Sequence, residues 1–310
     1  MPPTLLDRFR GCLMGLAVGD ALGAKFEGQE GEYIRERFPT VQHLLDYPLD
    51  GMWYTDDTQM AIGVAETLVE HRQIREDALC RAFVENYQPN RGYGRGARGV
   101  LSAMEDGKDY RQVAENFFPG GSYGNGAAMR VAPVGLFYRD DVPQLLEQAR
   151  LSALPTHLHP WGIEGAQLIA LAVGLASHSD TFTPESFFSQ LLQHSTSPEY
   201  QQKLTLASLM TSASELLPLG NGIAALESAP TAVASFALHS HSYALTIGHL
   251  ILLGGDTDTM AAMAGAISGA LLGIAAIPKV WLQELEDSPK GRDYIDQLAH
   301  RLYEAHLASM

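Results

Sequence analysis

The chain has 310 residues, 46% hydrophobic and 18% charged, a balance that builds a folded core and excludes a disordered chain. Its 21 Lys and Arg against 36 Asp and Glu leave a formal charge of −15, which repels nucleic-acid backbones and anionic membrane surfaces, and no Lys/Arg run offsets it locally. The only two cysteines, Cys12 and Cys80, stand beside apolar residues and read as free buried thiols rather than as a disulfide or a metal pair.

From Met1 to Arg10 the chain carries Asp7 and lacks the apolar centre of a signal peptide. No uncharged apolar run reaches the roughly 18 residues of a membrane span. A cytoplasmic protein without a membrane partner is expected, monomeric by default. Helical spacing begins at Leu13, Leu16, Ala17 and Asp20, where an acid interrupts an apolar stripe. Buried Asp is rare unless partnered, so Asp20 is expected to support a site. Glu27 follows in a glycine-flanked loop, where it fits either a surface acid or a movable functional one.

Met60, Val64, Leu68 and His71 mark a second helix, and others are predicted over 74–87, 140–152, 162–177, 184–194, 200–213 and 291–307. Alternating strand-like runs are scarce, so the spacing predicts one all-α domain of about a dozen helices. Between them, 88–99 and 118–126 read as glycine-rich loops, the first with Arg91, Arg95 and Arg98 available to an anionic ligand. Met260 to Gly273 is nearly devoid of polar side chains, with Gly265, Gly269 and Gly273 at every fourth position. A helix with no polar face belongs at the centre of a fold, and close backbone packing is what offsets its glycines.

Two acidic clusters carry the chemistry. Thr55-Asp56-Asp57 opens the Met60 helix, and Asp256-Thr257-Asp258-Thr259 follows Gly254-Gly255 and opens the central one. Each suits helix capping. Adjacent carboxylates also repel, and a cation removes that repulsion while using the threonine oxygens. If folding unites the clusters, four carboxylates and two hydroxyls converge, more than one Mg²⁺ needs. The absence of thiolates and of a close histidine set favours hard Mg²⁺ or Mn²⁺ over zinc. His157 with His159, and His239 with His241, form two His-x-His pairs that fit capping or ligand hydrogen bonds. Nucleophile-elbow, Walker A and dinucleotide-binding fingerprints are absent.

Gly-Asp-Ala-Leu-Gly-Ala (19–24), Tyr-Thr-Asp-Asp-Thr-Gln-Met (54–60), Tyr-Gly-Asn-Gly-Ala-Ala-Met-Arg (123–130), Thr-His-Leu-His-Pro (156–160) and Gly-Gly-Asp-Thr-Asp-Thr (254–259) together resemble the ordered motifs of the ADP-ribosylglycohydrolase family. That family includes the dinitrogenase-reductase-activating glycohydrolases, and the motifs run across about the whole domain. The resemblance implies a single compact all-α domain, here 1–310, that binds a pair of Mg²⁺ or Mn²⁺ ions. It implies hydrolysis of the glycosidic bond linking ADP-ribose to an arginine or serine side chain of a protein partner, or to a small conjugate. It places Thr55, Asp56, Asp57, Asp256, Asp258 and Thr259 at the metal-ligand positions. Glu27 matches the mobile glutamate that gates the cleft in serine-linked hydrolases. Gly124, Asn125 and Gly126 match the loop cradling the diphosphate and distal ribose, His157 a histidine near the adenosine side, and Asp20 a supporting acid. Glu27, Asp56 and Asp57 are the expected proton acceptors. Two other readings stay open. One is an ADP-ribose-binding or structural protein without turnover, as lens crystallins resemble this family; the other is a metal-dependent diphosphohydrolase.

Overall fold

Two helices from opposite ends of the chain set the architecture of the computed structural model, which describes residues 2–47, 51–178 and 181–310. Leu5–Gly23 and Thr257–Leu272 run antiparallel, and every residue from Gly11 to Gly23 and from Thr257 to Leu271 is buried. Their backbones touch. A Cβ added at Gly11 would lie 2.4 Å from the carbonyl oxygen of Gly269, one at Gly15 2.4 Å from that of Gly265, and one at Gly19 2.2 Å from that of Ala261. The predicted glycine stripe on the late helix thus meets a second stripe, Gly11, Gly15, Gly19 and Gly23, on the first. Pairing in this sense puts Asp20, near the end of one helix, beside Asp258, at the start of the other.

Polar groups are used sparingly to finish this core. Thr4 and Asp7 form a capping box at the start of the first helix. Arg8, buried, donates to the carbonyls of Ala270 and Leu271 at 3.3 and 2.7 Å and so satisfies acceptors that a helix end leaves unpaired. The Tyr243 hydroxyl donates to Gly15 O at 2.6 Å. Pro160–His178 and Ala225–Leu238 pack on the late central helix, and Asp56–His71 and Arg292–Leu307 pack on each other beside the first.

The fold is all-α around one contiguous apolar core. Seventeen α-helices occur among the described residues, against the dozen expected, because five of them span eight residues or fewer, too short for a periodic signal. The segment 88–99 is only half loop: a helix starts at Arg95 after Gly94. Cys12 is buried as expected, Cys80 only partly. Among the described residues no helix is long and apolar enough to cross a membrane. Among the described residues strand-type pairing is limited to three isolated bridges: Glu30 with Gly254, Met52 with Leu285, and Gly124 with Ala224. Each ties a loop that carries a site residue to a second part of the chain.

Candidate active site

Both acidic clusters begin helices, and neither is used as a cap. Thr55 is the N-cap of Asp56–His71 and Asp256 the N-cap of Thr257–Leu272, yet neither side chain accepts a backbone N–H of its helix's first turn. The turn into Asp256 needs Gly254 and Gly255, both with positive φ of 75° and 81°, which leave the helix start open towards the first cluster. The Thr55 hydroxyl is instead within reach of Asp20 Oδ1 at 2.7 Å and Asp57 Oδ2 at 3.0 Å. With a single proton it serves one of these at a time, and its lone pairs remain.

A carboxylate oxygen from each of Glu27, Asp256 and Asp258 lies within 4.8 Å of the other two. Glu27 is exposed and reaches this trio because its loop is docked on the second cluster's turn: Gly28 N donates to Gly255 O at 2.9 Å and Gly255 N to Gln29 O at 3.0 Å. Asp56 and Asp57 face the trio electrostatically. Burial raises all five acids, and repulsion by neighbouring carboxylates adds to it at Glu27, Asp56, Asp57 and Asp258. Asp56 is pushed up to about 7 and Asp258 to about 10, with Asp57 well above the ordinary range. Asp57 feels Asp258 and Asp256 as well as its neighbour Asp56, so the two clusters have been brought together.

These residues fit hard divalent cations. Asp57, only 2% exposed, has a buried Oδ1 with no hydrogen-bond partner, and a buried carboxylate oxygen left unpaired is costly unless a cation takes it. The donor set is all oxygen, the preference of Mg²⁺ and Mn²⁺. The zinc-type pairs lead elsewhere: His239 stacks on His249 at 4.4 Å, and His159 packs edge-on against Trp161 at 5.3 Å.

Asp20 is fully buried and bonds the start of the Asp56–His71 helix. It accepts from Thr55 N, Thr58 N and the Thr58 hydroxyl at 3.0, 3.0 and 2.5 Å, which restrain a pKa that burial lifts to about 6. The Asn125 amide nitrogen donates to Asp256 Oδ2 and, at 3.0 Å, to Ser228 Oγ, so this loop is tied to the second cluster. Gly124 N and Asn125 N are already engaged by Ser122 Oγ at 3.2 Å and Ile223 O at 3.0 Å. Anion binding by this loop's amides is therefore left to Gly126 and beyond.

His157 lies beneath the same loop. A Cβ at Gly126 would be 2.9 Å from its Cε1, and one at Gly124 3.5 Å from its Nε2. Its Nδ1 is 2.7 Å from the Thr156 hydroxyl, which accepts from the buried Arg130 at 2.9 Å. Arg130 can only donate and occupies one lone pair of that hydroxyl; when the hydroxyl donates to Nδ1, the ring proton of the neutral imidazole sits on Nε2, facing the loop. Burial, then the Arg130 charge, lowers the imidazole to about 3. An unfolded histidine titrates near 6.5, so from about 6.5 down to about 3 the unfolded state binds the extra proton and stability falls with pH. His157→Gln is expected to flatten the acid side of the unfolding free-energy profile, read by denaturant melts at each pH, by up to about 1.4 kcal/mol per pH unit and leave it unchanged above about pH 7. An equal slope in both proteins counts against this neutral, buried imidazole.

The sequence profile of the ADP-ribosylglycohydrolase family matches residues 1–309. The chain belongs to the ADP-ribosylglycohydrolase family. It is 36% identical to "ADP-ribosylhydrolase ARH3" of Xenopus tropicalis, with 98% of each chain covered, and 35% identical to the human protein of that name, covering 96% of this chain and 94% of that one. An uncharacterised protein of Archaeoglobus fulgidus is 32% identical with 97% of each covered. A solved structure titled "ADP-ribosylglycohydrolase-related protein complex" superposes with a TM-score of 0.76 at 26% identity, covering 97% of this chain and 99% of that one.

Within this ADP-ribosylglycohydrolase fold, several residues make contacts that the motifs, even where they include them, do not assign. Thr58 and Ser228 complete the bonds of Asp20 and Asn125. Tyr123, 52% exposed, meets His159 and Trp161 edge-on at 5.8 and 6.4 Å, forming an aromatic rim beside the Gly124 loop. The crowding of Tyr, His and Trp around 123 and 159–161 is a signal the sequence does contain. Arg91 does not face an anion: it is buried in an ion pair with Glu286.

Proposed function

We propose that this protein hydrolyses the glycosidic bond between ADP-ribose and a protein side chain, arginine or serine, or a small conjugate, with a pair of Mg²⁺ or Mn²⁺ ions. The observation that carries this is the meeting of two uncapped carboxylate clusters around the unpartnered Asp57 Oδ1. Thr55, Asp56, Asp57, Asp256, Asp258 and Thr259 would hold the ions, with the Glu27 carboxylate beside them on its loop. Bound there, the ions supply a Lewis acid that orients ribose hydroxyls and acidifies water.

Cleavage at the anomeric carbon passes through an oxocarbenium-like state, with water entering and a leaving group that needs a proton. Glu27 is the exposed acid of the trio, so its carboxylate is the one free to take the water's proton and to move with its loop. The buried Asp56 and Asp57 place negative charge beside the developing cation, and Asp20 holds their helix start in place. Asn125 has its amide nitrogen committed, which leaves Oδ1 to accept from a ribose hydroxyl. Gly126 serves the diphosphate side and His157 the adenosine side, where the Tyr123 rim offers a flat apolar face to a purine.

Arginine-linked and serine-linked ADP-ribosyl peptides, offered with Mg²⁺, separate the readings. The expected products are free ADP-ribose and unmodified peptide. AMP with ribose phosphate would assign the protein to diphosphate cleavage instead, and peptide that is bound but left intact would make it a binding protein.

A further inference from the structure

The arm Trp53–Thr55 leads from the Met52 bridge into the Asp56–His71 helix with no helix or strand of its own to hold its direction. We infer that the buried Arg91–Glu286 pair is the positioning clamp of this arm, setting the peptide plane from which Asp56 and Asp57 project; the inference rests on the cation site proposed above. Arg91 Nη1 donates to Tyr54 O at 2.8 Å, and Glu286 Oε1 accepts from Tyr54 N at 3.2 Å. Both backbone groups of Tyr54 are thereby held by the pair. The next amide, Thr55 N, donates to both oxygens of Asp20 at 3.0 Å. A single peptide unit, the one between Tyr54 and Thr55, has its oxygen fixed by Arg91 and its nitrogen by Asp20, on opposite sides of the chain. Such a plane cannot rotate without breaking a charged hydrogen bond.

The clamp is itself anchored. Arg91 is forked on Glu286, with Nη2 2.9 Å from Oε2, and its guanidinium lies 3.9 Å from the Tyr54 ring centre. Glu286 is held where it is because Met52 N donates to Glu284 O and Glu286 N to Met52 O, both at 2.8 Å. The residue after Arg91 is Gly92, with φ of 89°, where a Cβ would come within 3.5 Å of Asp56 Oδ1. The loop that supplies the clamp therefore also lies against the first carboxylate. A lysine at 91 keeps the charge for Glu286 but cannot fork, bond Tyr54 O and stack at once.

The test compares Arg91→Lys with Arg10→Lys, which weakens a second forked pair, Arg10 with Asp296 at 2.7 and 2.9 Å, that joins two helices without touching the arm. Calorimetric titration with Mn²⁺ reads the site, and melting in chelator reads the fold. Arg91→Lys is expected to bind Mn²⁺ about 10- to 100-fold more weakly, the usual scale for groups that orient metal ligands. At saturating Mn²⁺ its kcat should return towards the unsubstituted protein's, while Arg10→Lys keeps full Mn²⁺ affinity. Should Arg91→Lys not fold, Glu286→Gln, of the same shape, is read the same way. Undiminished affinity in the clamp variant, or an equal loss in Arg10→Lys, overturns the clamp alone. Failure of the unsubstituted protein to bind Mn²⁺ overturns the cation site and the clamp with it.

Discussion

Asp258→Asn is expected to lower kcat/KM for ADP-ribosyl peptide at limiting Mg²⁺ by on the order of 10²- to 10³-fold, the scale of losing one preorganised electrostatic group. Asp258 is pressed from several sides: its pKa is lifted to about 10 by burial, then by Asp256, Glu27 and Asp20. A group in that position keeps its charge only if a cation shares it. The amide is nearly isosteric, so the fold is kept while one anionic ligand is lost. In chelator the variant should melt above the unsubstituted protein, because Asp258 must take up a proton to be buried among its neighbours and the amide need not; with Mg²⁺ present the order should reverse. Turnover at the unsubstituted rate under limiting Mg²⁺ would falsify the cooperating clusters.

Gly269→Ala is expected to destabilise by about 3 kcal/mol or more, the upper range for overpacking. This corresponds to a fall of roughly 5 °C or more in melting temperature for a chain of this size. In an open helix the same change stabilises by up to about 1 kcal/mol. Here the new Cβ would stand 1.9 Å from Gly11 O, and a backbone oxygen cannot swing aside as a side chain can. The helices must separate, and the Asp20 and Asp258 ends separate with them. Gly94→Ala is the control: its Cβ meets nothing within 4 Å. A melting temperature for Gly269→Ala no lower than the control's would refute the backbone contact.

How far these features are legible depends on the range of the interaction that makes them. Pro184–His194 has the predicted bounds and Arg292–Leu307 begins one residue late, since their starts are local: Thr183 caps one and Gly291 precedes the other. The helix predicted over 200–213 stops at Ser208, and Ser212 with Glu215 forms a capping box for a short 3-10 turn that competes with its continuation. The acidic clusters stand out because neighbouring carboxylates need a reason. Their meeting is long-range and is announced only by the order of the motifs. Glu286 carries no local mark at all: its role exists only because Met52 pairs with that segment. The first helix's glycines, by contrast, recur every four residues in plain view, and matching them to the Gly265 stripe requires only asking what a polar-free helix packs against.

The glycine contact between the two central helices also sets a timetable. Gly15 leaves the ribosome about 250 residues before its partner Gly265 is made. At synthesis rates of roughly 5–20 residues per second, the first helix waits roughly 12–50 s with an almost wholly apolar surface and no partner. Until then Asp20 has no second cluster to face, so a stalled or truncated chain carries half a site and a sticky helix.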